Sequence, residues 1–183
     1  MRLVFPKSYA DAVARLRVPS GFLMVAAVAW SSHPRLSSLA LGAPVSLLGL
    51  ALRAWAAGCL AKNQRLATRG PYAYTRNPLY LGTLLVAVGL AVAARSGGLG
   101  LLFAAVFLLV YLPVMQLEEQ HLRELFPEYP RYAATVPMLW PRPARTGTNS
   151  NPFRWALYLR NEEYQAGAGL AAGMLFLLWK ALR

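Results

Sequence analysis

Three places in the sequence gather side chains able to bind or move charge. The first is AKNQRLATRGPYAYTRNPLYLG at residues 61–82, where Tyr72, Tyr74, Arg76 and Tyr80 crowd around a helix start. Gly70-Pro71 is a turn signal. Asn77-Pro78 places a proline in the first helical turn, where its missing N–H costs little. Free N–H groups at that helix end, next to Arg76, suit a carboxylate or a phosphate. A basic loop closing on a helix start accounts for Gly70, Pro71 and Pro78, but not for the cluster of tyrosine and arginine side chains.

The second place is Glu118-Glu119, at the end of an apolar run. A solvated acidic pair at a membrane boundary is ordinary. A pair at a helix C-terminus, however, opposes the helix dipole and calls for a compensating cation. Arg53, Arg76 and the ammonium group of a ligand are the candidates. The third place is Arg53 itself, within an apolar run and about seven residues from its end, hence roughly 10 Å deep. It either snorkels to the interface or faces the bundle interior as an ion pair or substrate anchor, with the glutamate pair as the nearest acidic candidates. Downstream, LRELFPEYPRYAATVPMLWPR mixes Tyr129, Tyr132 and Trp140 with Arg123 and Arg131. It reads as an interfacial aromatic belt or as a lid, with Met138, Leu139 and Trp140 bordering a lipid-facing opening. Metal chemistry is not expected: Cys59 is the only cysteine, and His33 and His121 are far apart.

The elements that must hold these groups are membrane helices. Hydrophobic residues make up 57% of the 183-residue chain and charged residues 14%, against roughly 25% charged in a soluble globule. The net charge of +12 lies between apolar blocks, so orientation and anionic lipid explain it better than nucleic acid. A span needs about 20 mostly apolar residues. Five stretches approach that length, at residues 18–36, 39–60, 78–94, 99–117 and 164–182, the third and fourth forming a hairpin. The expected fold is an all-α polytopic bundle forming one membrane domain. The N-terminal residues lack the apolar run of a signal peptide and read as an amphipathic lead-in along the membrane surface. Fourteen Lys and Arg fall on one side of the spans and four on the other, so the N-terminus and the segments 61–77 and 118–163 should face the cytoplasm. All seven acidic residues fall on that side too. EEQHLRELF continues the fourth span as a helix before prolines break it, and ARTGTNSNP at 144–152 is a turn-rich linker.

GPYAYTRNPLYLG, followed after the hairpin by EEQHLRELFPEYPRYAATVPMLWP, resembles the isoprenylcysteine carboxyl methyltransferase family and, with it, the phospholipid methyltransferases. The resemblance covers residues 61–141. It implies a cytoplasmic pocket for S-adenosylmethionine, with Tyr72, Arg76, Asn77 and Tyr80 on one wall and Glu118 and Glu119 on the other. Gln64 stands where relatives often carry a histidine. Asn77 replaces the usual histidine of the Arg-x-Pro motif and does not titrate. The apolar stretch at 164–182 is an extra span, and RNEEYQ before it is a possible cover for the site.

The resemblance thus implies methyl transfer to an amphiphile entering laterally from the bilayer. A lipid-like or isoprenylcysteine-type carboxylate needs no base. An amine head group needs one, with Glu118 or Glu119 available. In this scheme Arg76 and the helix N-terminus hold the cofactor carboxylate, and Glu119, with Glu118, its ammonium group. Tyr72 and Tyr80 border the adenosine or the sulfonium, and Arg53 neutralises Glu118 or the substrate. Two other classes stay open: a membrane reductase of the sterol reductase type using NADPH, and a membrane scaffold. The acceptor's identity and the oligomeric state are not written in the sequence.

Overall fold

The computed structural model describes residues 5–143 and 153–183, and these are helical with no strand among them. The 144–152 linker, and Arg2, Leu3 and Val4 of the lead-in, lie outside the described residues. Helix α1 spans Lys7–Ser31 and α2 spans Leu36–Cys59. A short 3-10 turn at Gly70–Ala73 precedes α3, Pro78–Ala94. Helix α4 runs over Gly97–Leu125. The short helices α5, Tyr129–Thr135, and α6, Trp155–Arg160, precede the last helix, α7, Tyr164–Ala181.

Two helices, α2 and α4, are long and apolar enough to cross a membrane, or three if the bent α1 is one span. These are the helices of an integral membrane protein. The expected span at 18–36 is corrected at its end: α1 stops at Ser31, and residues 32–35, with Pro34 among them, are not helical. A proline fixes φ and lacks the N–H that a continuing helix needs. The lead-in Lys7–Leu16 turns by 54° from Pro19–Ser31. Helix α3 occupies the expected 78–94 and, at 17 residues, is shorter than the roughly 20 of a full span. The hairpin after it is tighter than expected. Only Arg95, left-handed at φ 51, and Ser96 separate the helices, and the Ser96 side chain caps α4 by accepting from Leu99 N.

Helix α4 tolerates Pro113 through a π-turn at Phe107–Tyr111. Pro113 has no N–H to offer Leu109, the residue four back. The Tyr9 hydroxyl of α1 donates to the Leu109 carbonyl instead, at 2.9 Å. Beyond this break the helix continues to Leu125, so Glu118 and Glu119 sit inside it rather than at its C-terminus. The dipole argument for a compensating cation therefore lapses. What calls for a cation is burial.

The register of the site is set where α2 meets α3. Gly42, Ser46 and Gly49 of α2 lie against Gly82, Gly89 and Ala93 of α3 so closely that a Cβ at Gly82 would stand 2.7 Å from the Gly49 carbonyl oxygen and 2.5 Å from Arg53 Cγ. Small residues let backbones approach in this way in membrane helices. Ser38 Oγ adds a buried bond to the Ala93 carbonyl at 2.8 Å. Gly82→Ala should therefore push α2 off α3 and displace Arg53, destabilising the protein by about 1–3 kcal/mol, as overpacking does. Thermal unfolding in detergent measures this, and an unshifted midpoint would refute the close-packed register.

Candidate functional site

The loop before α3 carries the first wall. Gly70 adopts φ 62, a conformation open to glycine without strain, and the turn it starts buries Pro71 and Tyr72 against α2. Segment 136–142 then runs alongside residues 74–77. Arg76 N donates to the Pro137 carbonyl (2.9 Å) and Arg142 N to the Tyr74 carbonyl (3.1 Å). Thr75 Oγ1 donates to the Met138 carbonyl at 3.1 Å and Asn77 Nδ2 to the same oxygen at 3.0 Å. Asn77 thus spends its amide on fixing this segment and does not cap α3, whose first N–H groups lack a side-chain cap. From α5, the Tyr132 hydroxyl donates to the Tyr72 carbonyl at 2.7 Å. Tyr129 and Tyr132 are buried while Trp140 is 71% exposed, so only Trp140 fits the aromatic-belt reading. Met138 and Leu139 pack on Tyr80, Phe107, Val114 and Met115.

The second wall is α4. Glu119 is buried and pairs with Arg76, Nη2 to Oε1 at 3.0 Å, both side chains less than a tenth exposed. Glu118, on the exposed side, accepts from the Tyr80 hydroxyl at 2.8 Å. The structure thus brings Tyr72, Arg76, Tyr80, Glu118 and Glu119 together across one interface. Burial raises the Tyr72 hydroxyl's pKa well above the ordinary tyrosine range, and the neighbouring Tyr132, Cys59, Glu118 and Glu163 raise it further. Tyr129 and Tyr132 shift the same way, chiefly by burial, against the lowering effect of Arg76. All three therefore stay neutral throughout the physiological range.

Two expected residues lie elsewhere. Gln64 is exposed and, with its amide oxygen turned outward, accepts from Arg160 Nη1 at 3.0 Å. Arg53 does face the protein interior, but its partner is neither Glu118 nor Glu119. Nη2 reaches Glu163 Oε2 at 3.1 Å, Nε bonds the other Glu163 oxygen, and Nη1 bonds Thr83 Oγ1 and the Leu79 carbonyl. Glu163 lies in the RNEEYQ stretch, 110 positions away. Nothing local marks it above Glu162, which is exposed. Both Glu118 of the second wall and Glu163 are among the charges that act on the Tyr72 hydroxyl.

Several buried polar atoms here have no hydrogen-bond partner: the Tyr72 and Tyr129 hydroxyls, Arg76 Nε and Gln116 Oε1, while Glu119 Oε1 has its ion pair with Arg76 and acts on the Tyr129 hydroxyl. Gln116 sits three residues before Glu119, on the same helix face, and no motif singled it out. Unsatisfied buried groups are rare and call for an explanation, and a polar ligand between the walls supplies one. Donors from Tyr72 and Arg76 beside acceptors from Glu119 and Gln116 match a zwitterion. Among the described residues, no group of three or more His, Cys, Asp or Glu could hold a metal ion.

The cobalt-zinc-cadmium resistance protein CzcN of Cupriavidus metallidurans is 35% identical over 115 residues, which is 62% of this chain and 52% of that protein. The nickel-cobalt-cadmium resistance protein NccN of Alcaligenes xylosoxydans xylosoxydans is 34% identical over 115 residues, 62% of this chain and 53% of that protein. The chain thus spans about half the length of these curated relatives. No solved structure matches it. The family model for phospholipid methyltransferases matches residues 38–129, from α2 through α3 and α4 to the start of α5. That match covers half of the chain, and the chain belongs to the phospholipid methyltransferase family.

Proposed function

We propose that the chain transfers a methyl group from S-adenosylmethionine to the head group of an amphiphile, at the basic end of the bundle and on the cytoplasmic side of the membrane. The observation that carries this reading is the buried Arg76–Glu119 pair surrounded by unsatisfied polar atoms. A cation and an anion side by side receive the carboxylate and ammonium of an amino-acid group in complementary order. When bound, S-adenosylmethionine supplies an electrophilic methyl group on a sulfonium. Arg76 and the uncapped start of α3 hold its carboxylate, and Glu119 with Gln116 holds its ammonium group. Tyr72 and Tyr80 border the remainder, where ring faces favour a cation. Gln64, opposite Arg160, lies at the rim. The buried walls exclude water, which would otherwise compete as the methyl acceptor.

Arg53, Thr83 and Tyr72 line the acceptor's place, with the tail lying toward the lipid along Met138 and Leu139. A carboxylate acceptor is a nucleophile as it stands and needs a free cation to receive it. An amine must lose a proton. One observation favours the amine: the guanidinium nitrogens of Arg53 are already engaged by Glu163, Thr83 and the Leu79 carbonyl. Glu118, exposed beside Tyr80 rather than ion-paired to Arg76, is the better placed base.

Calorimetry on the purified protein tests the reading. S-adenosylmethionine and S-adenosylhomocysteine should both bind and NADPH should not; NADPH binding alone would favour a reductase, and no binding at all a scaffold. With an amine acceptor, turnover should fall as pH drops, because the protonated amine is not a nucleophile. With a carboxylate acceptor it should stay flat above about pH 6.

A further inference from the structure

Residues 153–165 lie beyond the family-matched 38–129, yet they are fastened to the end of α2 at four points. The Phe153 ring sits on Gly58, where a Cβ would come within 2.2 Å of it. Arg154 N donates to the Gly58 carbonyl at 3.0 Å. Asn161 Nδ2 satisfies two carbonyls of the α2 terminus, Ala57 at 2.9 Å and Leu60 at 3.0 Å. The fourth point is Glu163 on Arg53. Between Asn161 and Glu163 the chain takes a left-handed step at Glu162, φ 54, a conformation uncommon for a residue with a side chain. The step leaves Glu162 exposed and Glu163 buried at 6% exposure. This segment is thus a fixed strap that delivers one buried carboxylate to one partly buried arginine.

We propose that Glu163 determines acceptor specificity by occupying Arg53, so that the acceptor subsite rejects anionic head groups and admits amines. The proposal rests on the reading of Arg53 as a wall of that subsite. An arginine there without a partner would attract any carboxylate or phosphate brought in by a lipid. With Glu163 in place, an anionic head group must displace a carboxylate that the strap holds by three other attachments, or enter beside it with no cation of its own. Either route loses the charge-assisted bond and keeps the desolvation penalty. Specificity of this kind comes from an element that penalises the wrong ligand, not from a better fit to the right one. Glu163 acts through Arg53 and is a positioning residue, not a catalytic one.

The test is equilibrium binding of palmitate and of hexadecylamine to the full chain in lipid nanodiscs, read by tryptophan fluorescence. Glu163→Gln frees Arg53 while Thr83 and the Leu79 carbonyl still hold it. The palmitate-to-hexadecylamine affinity ratio should rise roughly ten- to a hundredfold, the worth of one hydrogen bond to a charged group. Glu163→Ser, which also leaves room for the head group, should raise it at least as much. Adding Arg53→Gln to Glu163→Gln should return the ratio to that of the wild type, a rescue that a merely structural role for Glu163 would not produce. An unmoved ratio in both single variants, or a shift that survives in the double variant, would overturn the proposal. S-adenosylmethionine titrated into the same discs reports the methyltransferase reading separately: absence of binding there defeats that reading and leaves the lipid ratio to decide this one.

Discussion

Replacing Glu119 by Gln should remove measurable S-adenosylmethionine binding and also lower stability. The pair it forms with Arg76 is buried on both sides, and breaking such a pair leaves an uncompensated charge, typically destabilising by about 3–5 kcal/mol. Loss of binding in the single variant is therefore ambiguous by itself. The double substitution Arg76→Met with Glu119→Gln removes both charges together, and exchanging a buried pair for uncharged groups of similar volume is often neutral for folding. The double variant should melt within a few degrees of the wild type and still show no heat with S-adenosylmethionine. Retained binding in a folded double variant would place the cofactor elsewhere.

The second large effect is expected at Tyr72, with the opposite sign for stability. Its hydroxyl is buried without a partner, and leaving such a group unsatisfied costs about 1–3 kcal/mol. Tyr72→Phe removes the hydroxyl and leaves the packing against Ala56, Cys59 and Leu79 in place. The variant should be as stable as the wild type or more so, by up to about 1–2 kcal/mol. Ligand binding should weaken roughly ten- to a hundredfold, because the lost donor leaves a ligand atom unpaired. The bond from the Tyr132 hydroxyl to the Tyr72 carbonyl survives the change, so the loop keeps its position. Thermal unfolding and cofactor titration on the same preparation measure both halves. A destabilised variant with unaltered binding would make the hydroxyl a structural group. Because burial raises the Tyr72 pKa above the ordinary tyrosine range, the wild-type binding profile should show no loss from tyrosine ionisation at neutral pH.

Stability and binding are expected to pull apart at this site in the way they do at functional positions. The protein leaves Tyr72, Tyr129, Arg76 and Gln116 with unsatisfied atoms, while Asn161 and Ser38, away from the walls, are satisfied. Asn161 finds two carbonyls and Ser38 finds Ala93.

What the sequence determined by itself was whatever depends on neighbours along the chain. Apolar runs set the helices, and α3 begins and ends where the run does, since Pro78 opens it and Arg95 ends it in a left-handed turn. The two walls were legible for the same reason: Tyr72, Arg76 and Tyr80 lie within nine positions of one another, and Glu118 and Glu119 are adjacent. Their order and spacing survive as a pattern whatever surrounds them. Only the tertiary structure decided who pairs with whom. Arg53 had several carboxylates within reach of the expected bundle, and the strap at 153–165 awarded it to Glu163. Arg76 took Glu119, and Asn77 turned its amide to a carbonyl 61 positions away. Gln64 turned outward to Arg160. Two charges attract at any sequence separation, and in a low-dielectric interior the attraction is strong enough to be decided by distance alone. Distance between remote segments is a property of helix packing, set here by the close approach of α2 and α3 at Gly49 and Gly82, and no local spacing encodes it.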